Sequence, residues 1–167
     1  GHSLGGAIGL ALALYYPKCV EGLLLVDTGA RLRVDPGIIE TARRAADGED
    51  LPPSNPRRGF ARGTSQKIVD EINVITEQCS PLVTYKDWIA DDTCDLMSRL
   101  PSITVPSLAI CGDEDEFTPI KYHKYFRDNL PNCQLKIIPD AGHCPFVEQP
   151  LLFDRTVLEF LDSLRGT

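Results

Sequence analysis

Gly1-His2-Ser3-Leu4-Gly5-Gly6-Ala7-Ile8-Gly9-Leu10 opens the chain, and its reading decides the fold. The first five residues follow the pattern G-x-S-x-G and run into an apolar segment. That spacing suits a tight turn from a strand into a helix. The serine is driven into a crowded backbone conformation, and glycines two residues to either side make room for it. The turn projects the Ser3 hydroxyl outward, which makes Ser3 a candidate nucleophile. The Leu4 N–H stands at the mouth of the following helix, where the dipole favours negative charge, so Leu4 is a candidate oxyanion donor.

Working outward, the segment Gly5 to Tyr16 is apolar on every side, which predicts a helix buried all round and ended by Pro17. Val20 to Val26 is short and nearly continuous in apolar residues, as a parallel strand covered on both faces should be. Asp27-Thr28-Gly29 closes it. Residues 31–100 change character, with charges, prolines and glycines punctuating three helical patterns. Asp35 caps the first, Pro36 takes its first position and Gly48 lies beyond its end. A Pro- and Arg-rich loop follows at 51–62. The second helix runs from Thr64 or Ser65 to Cys79 with Ile68, Val69, Ile72 and Ile75 on one face. The third starts near Thr84, with Asp87 three residues on as a capping-box partner, and carries Trp88 and Ile89.

From Ser107 strands and helices alternate again. Ser107 to Cys111 reads as a strand, followed by a loop and a helix opened by Thr118 and Pro119 and stopped by Pro131. Gln134 to Ile138 reads as the last strand. The terminal helix, Pro150 to Leu164, turns Phe153, Val157, Leu161 and Leu164 to one side. This order predicts an α/β fold, a parallel sheet with crossover helices. Core segments at 1–30 and 101–167 flank a helical insertion at 31–100, which is expected to cap the site.

Composition bounds the function. The 167 residues carry a net charge of −7 and are 43% apolar, with a pI of 4.9. An acidic chain without clustered Lys and Arg is not built to bind nucleic acid or an anionic membrane surface. The Arg57, Arg58, Arg62 and Lys67 group reads as a solvated face. Six cysteines lack the close pairing of a zinc site, and no apolar run reaches the ~18 residues of a membrane span. With no signal peptide, the thiols are expected reduced and the protein cytoplasmic. No metal or cofactor is expected. There is no initiator methionine, which reads as a piece of a longer chain.

In open parallel sheets the functional groups gather in loops at the carboxyl ends of strands. Ser3 precedes the first helix, Asp113 and Asp115 follow the strand at 107–111, and His143 follows the strand at 134–138. A serine needs an imidazole to take its proton, and the imidazole needs a carboxylate to fix its tautomer. All three types stand on successive loops.

Three motifs together resemble the α/β-hydrolase family, of which the chain looks like the carboxyl-terminal portion. Gly1 to Gly6 resembles the family's serine turn, which implies Ser3 as nucleophile and Leu4 N–H as an oxyanion donor. Val105-Pro106, Gly112-Asp113-Glu114-Asp115 and Pro119 resemble its acid loop, a spacing that selects Asp115 over Asp113. Asp140-Ala141-Gly142-His143 with Glu148-Gln149-Pro150 resembles its histidine loop and implies His143 as general base. The resemblance implies an esterase-like serine hydrolase acting on a small molecule with an ester or related carbonyl, with thioesterase or carbon–carbon bond hydrolase as alternatives. The early strands and the loop that supplies the family's second oxyanion donor are not in this sequence, so the resemblance also admits a non-catalytic fragment. Asp27 is a lesser contender for the acid. His2 is expected to support the turn, and His123, Asp113, Glu114 and Glu116 read as ordinary surface or turn residues.

Overall fold

A computed structural model describes residues 1–52 and 54–165. Its elements are α1 (Leu4–Tyr15), β1 (Leu23–Val26), α2 (Pro36–Ala46), α3 (Gln66–Glu77), α4 (Pro81–Thr93), β2 (Ser107–Gly112), α5 (Ile120–Asn129), β3 (Cys133–Ile138), α6 (Pro145–Glu148) and α7 (Pro150–Arg165). Short 3-10 turns occupy Pro17–Cys19 and Met97–Ser102. The first of these uses residues after Pro17 that cannot extend α1, which delays β1 to Leu23. Of the loop at 51–62, Pro53 lies outside the described residues.

The strands form one parallel sheet in chain order, with Leu23 opposite Ser107 and Ser107 opposite Cys133. His2 adds a parallel bridge to Val26, so the serine turn issues from the position beside β1. The fold is the α/β class that the alternation of elements predicts. Strand side chains divide between two cores by their period of two. Leu23, Leu25 and Ala109 pack with Leu10 and Ala13 of α1 and Phe126 of α5. Val26, Leu108 and Ile110 point the other way, with Ile138 and Phe160 of α7. Register and alternation together bring the carboxyl ends of β1, β2 and β3 to one rim.

The structure corrects several expectations. α1 is not buried all round: Ile8 is 54% and Tyr15 61% exposed. The helix packs against β1 and α4 through Ala7, Leu10 and Ala13, and no described element covers its opposite side. α4 starts at Pro81 rather than near Thr84, because proline fits the first turn of a helix. The apolar side of α3 buries Val69 fully but leaves Ile75 64% exposed near its end. In α7 the centre of the buried side is Phe160, and Leu161 lies at its margin. His123 is not a surface residue. It is fully buried on α5, and its Nε2 accepts the Thr28 N–H at 3.1 Å, tying α5 to the loop after β1.

Glu148 clamps the rim. Its Oε1 accepts Gly142 N–H at 2.9 Å and Cys144 N–H at 3.0 Å, while Oε2 accepts Ala61 N–H at 2.8 Å and the Thr64 hydroxyl. One carboxylate thus joins the loop after β3 to the segment before α3. The fit is close enough that a Cβ on Gly142 would lie 2.2 Å from Gly59 O.

Two stability measurements follow. Glu148→Ala strands four donors at roughly 1 kcal/mol each, so urea unfolding is expected to register a loss of about 2–4 kcal/mol, and Glu148→Gln a smaller one. A change within error for the alanine variant would remove the clamp from the account. The second concerns acid. Burial pushes His123 down to about 4, so the folded ring stays neutral where the unfolded one, near 6.5, takes a proton. Its contribution is complete above pH 6.5 and is lost as pH falls to about 4, on the order of 3 kcal/mol in all. His123→Phe is expected to be less stable at pH 7 but to lose less on acidification; an unchanged pH slope would contradict this.

Candidate active site

Ser3 has φ 52° and ψ −124°. A non-glycine residue in that region is strained by roughly 1–3 kcal/mol and persists only where its neighbours enforce it. They do so here: Ser3 N–H donates to Val26 O at 3.0 Å, Gly5 N–H to His2 O at 2.8 Å, and the Thr28 hydroxyl to Ser3 O at 2.7 Å. The reason for the glycines differs in part from the spacing argument. A Cβ on Gly1 would lie 2.1 Å from Gly5 O, and one on Gly6 2.4 Å from Thr28 Cγ2, whereas Gly5 has open space around it. Close approach therefore falls on Gly1 and Gly6. Leu4 opens α1, where the first N–H groups have no intrahelical partner.

Asp115 and His143 come together from the loops after β2 and β3. His143 Nδ1 donates to Asp115 Oδ2 at 2.9 Å, with the histidine side chain 13% exposed and the aspartate side chain fully buried. Asp115 also accepts Phe117 N–H at 2.8 Å, Thr118 N–H at 3.2 Å and the Thr118 hydroxyl at 2.6 Å. Burial alone would push its carboxyl up. The hydrogen bond and charge of His143, with the Thr118 and Phe117 donors, outweigh burial and hold it well below the usual carboxylate range. With Nδ1 bound to a carboxylate, the proton of a neutral His143 sits on Nδ1 and Nε2 is the basic nitrogen.

The two loops are fitted to each other. A Cβ on Gly112 would meet Ala141 O and Gly142 O at 2.2 Å, and Glu114 N–H donates to Ala141 O at 2.9 Å. His2 joins the serine turn to the same assembly. Its Nε2 donates to His143 O at 2.6 Å, and its ring lies 4.7 Å from that of His143 and 5.0 Å from that of Phe146. Burial first, and then the neighbouring His143 charge, push His2 down to about 4, so it is neutral and keeps the donor proton this bond requires.

Of the other acidic candidates, only Asp27 adjoins this pair. Asp113 and Glu116 are exposed, and Glu114 accepts Arg62 N–H at 3.0 Å. Asp27 is fully buried beside Asp115, but its Oδ1 accepts Gly112 N–H at 3.0 Å rather than a proton from His143. Arg57 binds Thr64 O and Gln66, Arg58 lies 5.1 Å over the Phe117 ring, and Arg62 and Lys67 are open to solvent. Asp27, Asp115 and His143 bring ligand atoms within 4.8 Å of one another, a spacing a metal could use; Asp115 and His143 already hydrogen-bond each other there, whereas Asp27 Oδ2 has no partner.

Three contributors escaped the sequence reading. Glu148 belongs to the quoted histidine-loop motif, but nothing in its spacing signals the donors it collects. Thr118 read as a helix opener, and its hydroxyl instead holds Asp115. Asp91 of α4 is 5% exposed and pushed up to about 6 by burial and by Asp87, with the charge of His143 acting the other way. A carboxylate in a polar helical stretch gives no sequence sign of burial.

Known proteins resemble this chain in sequence and fold. A 2-succinyl-6-hydroxy-2,4-cyclohexadiene-1-carboxylate synthase, so named in Bacillus subtilis, is 30% identical over 183 residues, covering 98% of this chain and 65% of its own length. A thermophilic esterase from Thermogutta terrifontis superposes with a TM-score of 0.85 at 26% identity, over 98% of this chain and 64% of that one. A second thermophilic esterase gives 0.79 at 32% identity, over 98% and 65%. The chain thus spans just under two thirds of the length of these relatives. Residues 1–155 match the Alpha/beta hydrolase family, a span that runs from the serine turn into α7 and takes in every strand, and the chain belongs to that family.

Proposed function

We propose that the protein is a serine hydrolase that cleaves carboxylic ester or related acyl bonds of small molecules through Ser3, His143 and Asp115. The observation that carries this reading is the 2.9 Å hydrogen bond from His143 Nδ1 to the buried Asp115 carboxylate. It orients the imidazole and reserves Nε2 for proton transfer. Support comes from the strained Ser3 turn and from the similarity to two esterases.

In the reaction, Ser3 Oγ adds to the substrate carbonyl carbon as its proton passes to His143 Nε2. The negative oxygen of the tetrahedral intermediate takes a hydrogen bond from Leu4 N–H, aided by the dipole of α1. Collapse breaks the bond to the leaving group, which takes the proton from His143, and Ser3 is left acylated. Water then adds to the acyl carbon, gives a proton to His143 and releases the acid, and that proton returns to Ser3. Asp115 keeps its negative charge throughout and stabilises the transient imidazolium. The helical segment α2 to α4 acts as the cap that shapes substrate entry, and Asp91 is its buried carboxylate toward the His143 side.

Kinetics on short activated esters, thioesters and vinylogous diketones test the reading and rank the three bond types. Ser3→Ala, His143→Ala and Asp115→Asn are each expected to lower kcat by about 10⁴ with the circular dichroism spectrum unchanged. Hydrolysis of every substrate at the native rate by folded Ser3→Ala protein would overturn it.

A further inference from the structure

Asp27 directly follows β1 with φ 41° and is fully buried, a costly placement for a carboxylate. Its surroundings are unequal to those of its neighbour. Asp115 collects four donors: two backbone N–H groups, the Thr118 hydroxyl and His143 Nδ1. Asp27 collects one, Gly112 N–H on Oδ1, and its Oδ2 is buried without a donor. The same carboxylate shares a cluster: one oxygen of Asp27 and ligand atoms of Asp115 and His143 all lie within 4.8 Å of one another. Two ionised carboxylates at such range repel, and one of them is expected to keep a proton.

The groups around Asp27 point to which one. From β2, Cys111 is pushed up to about 12 by burial, and from the histidine loop Cys144 is pushed up to about 12 likewise, so both thiols are neutral. Glu148 of α6 adds a further acidic influence, and His123 of α5, pushed down to about 4, is neutral. The one cation that can form in the cluster is the His143 imidazolium, and it is bonded to Asp115. We propose that Asp27 is a protonated carboxylic acid whose O–H donates to the Asp115 carboxylate, a positioning residue that fixes the Asp115–His143 pair and holds the cluster at a single negative charge. Burial, then the Asp115 charge, push its carboxyl up to about 9, in the same sense. The consequence is chemical. A second negative charge would hold the imidazolium too tightly and slow its proton transfer to the leaving group.

The catalytic arm rests on the triad proposed above, whereas the stability and spectroscopic arms do not, so the two readings fail separately. Asparagine mimics the protonated acid, since its carbonyl can accept Gly112 N–H and its amide can donate to Asp115. Asp27→Ala is expected to lose about tenfold or more in kcat with little change in KM, and Asp27→Asn to recover most of that loss. Because the folded value is raised above the unfolded one, the wild type loses stability as pH rises from about 4 toward about 9. The melting-temperature advantage of Asp27→Asn should therefore grow across that range and then level off. Infrared difference spectra of wild type against Asp27→Asn should show a protonated-carboxyl C=O stretch at pH 7 that fades above pH 9. An Asp27→Asn variant that is less stable at pH 8 than at pH 5 relative to wild type would overturn the proposal. So would the absence of that stretch at pH 7, a measurement that holds even if Asp27→Ala does not fold.

Discussion

The backbone of Ser3 is the constraint on which the rest depends. A left-handed φ at a residue with a side chain is tolerated only because β1 grips both sides of the turn, through Val26 N–H to Gly1 O at 2.9 Å and Ser3 N–H to Val26 O at 3.0 Å. Thr28 completes the grip with its hydroxyl on Ser3 O and its methyl against Gly6, where no side chain would fit. Because the turn is sharp, α1 leaves it lying back against β1, with Leu10 and Ala13 in the core beneath the sheet. Strain at the serine and burial of the helix are thus two ends of one arrangement.

The same rim carries two further loops that are locked to each other more firmly than to solvent. Gly112 and Gly142 permit backbones to meet where a Cβ would collide, and Glu148 gathers four donors from the histidine loop and the 61–64 segment. His2 ties the serine turn to His143 O, so a shift of the turn is felt by the imidazole. The loops that carry Asp115 and His143 are anchored at the ends of strands in fixed register, which limits how far either side chain can wander. The pattern of charges follows from this packing: His2 and His123 stay neutral by burial, while Asp115 stays ionised because its donors exceed its burial cost.

Much of this was legible in the sequence because it rests on local rules. β1 reads as an apolar run, Asp35 and Pro36 open α2 as N-cap and first residue, and the order serine, aspartate, histidine follows from loops at strand ends. The resemblance of their loops to those of the family implies Asp115 and His143 as partners, and the structure joins them by a hydrogen bond. What stayed illegible depends on contacts between distant segments. His123 looked like a surface residue because helical position does not reveal that Thr28 N–H needs an acceptor. α1 looked wholly buried because composition does not say which neighbours are present to cover Ile8 and Tyr15. Asp27 reads as an alternative acid, and only the fold shows that it is buried with one oxygen unpartnered and a second carboxylate close by.

The central claim is that Ser3 is a nucleophile activated by His143. Its most direct measurement is peptide mass spectrometry after exposure to a phosphonylating fluoride, which traps an activated serine covalently without needing the natural substrate. A single adduct on the peptide containing Ser3, absent from His143→Ala protein, is the result the account predicts. No adduct on Ser3 in folded protein, or equal labelling with and without His143, would contradict it.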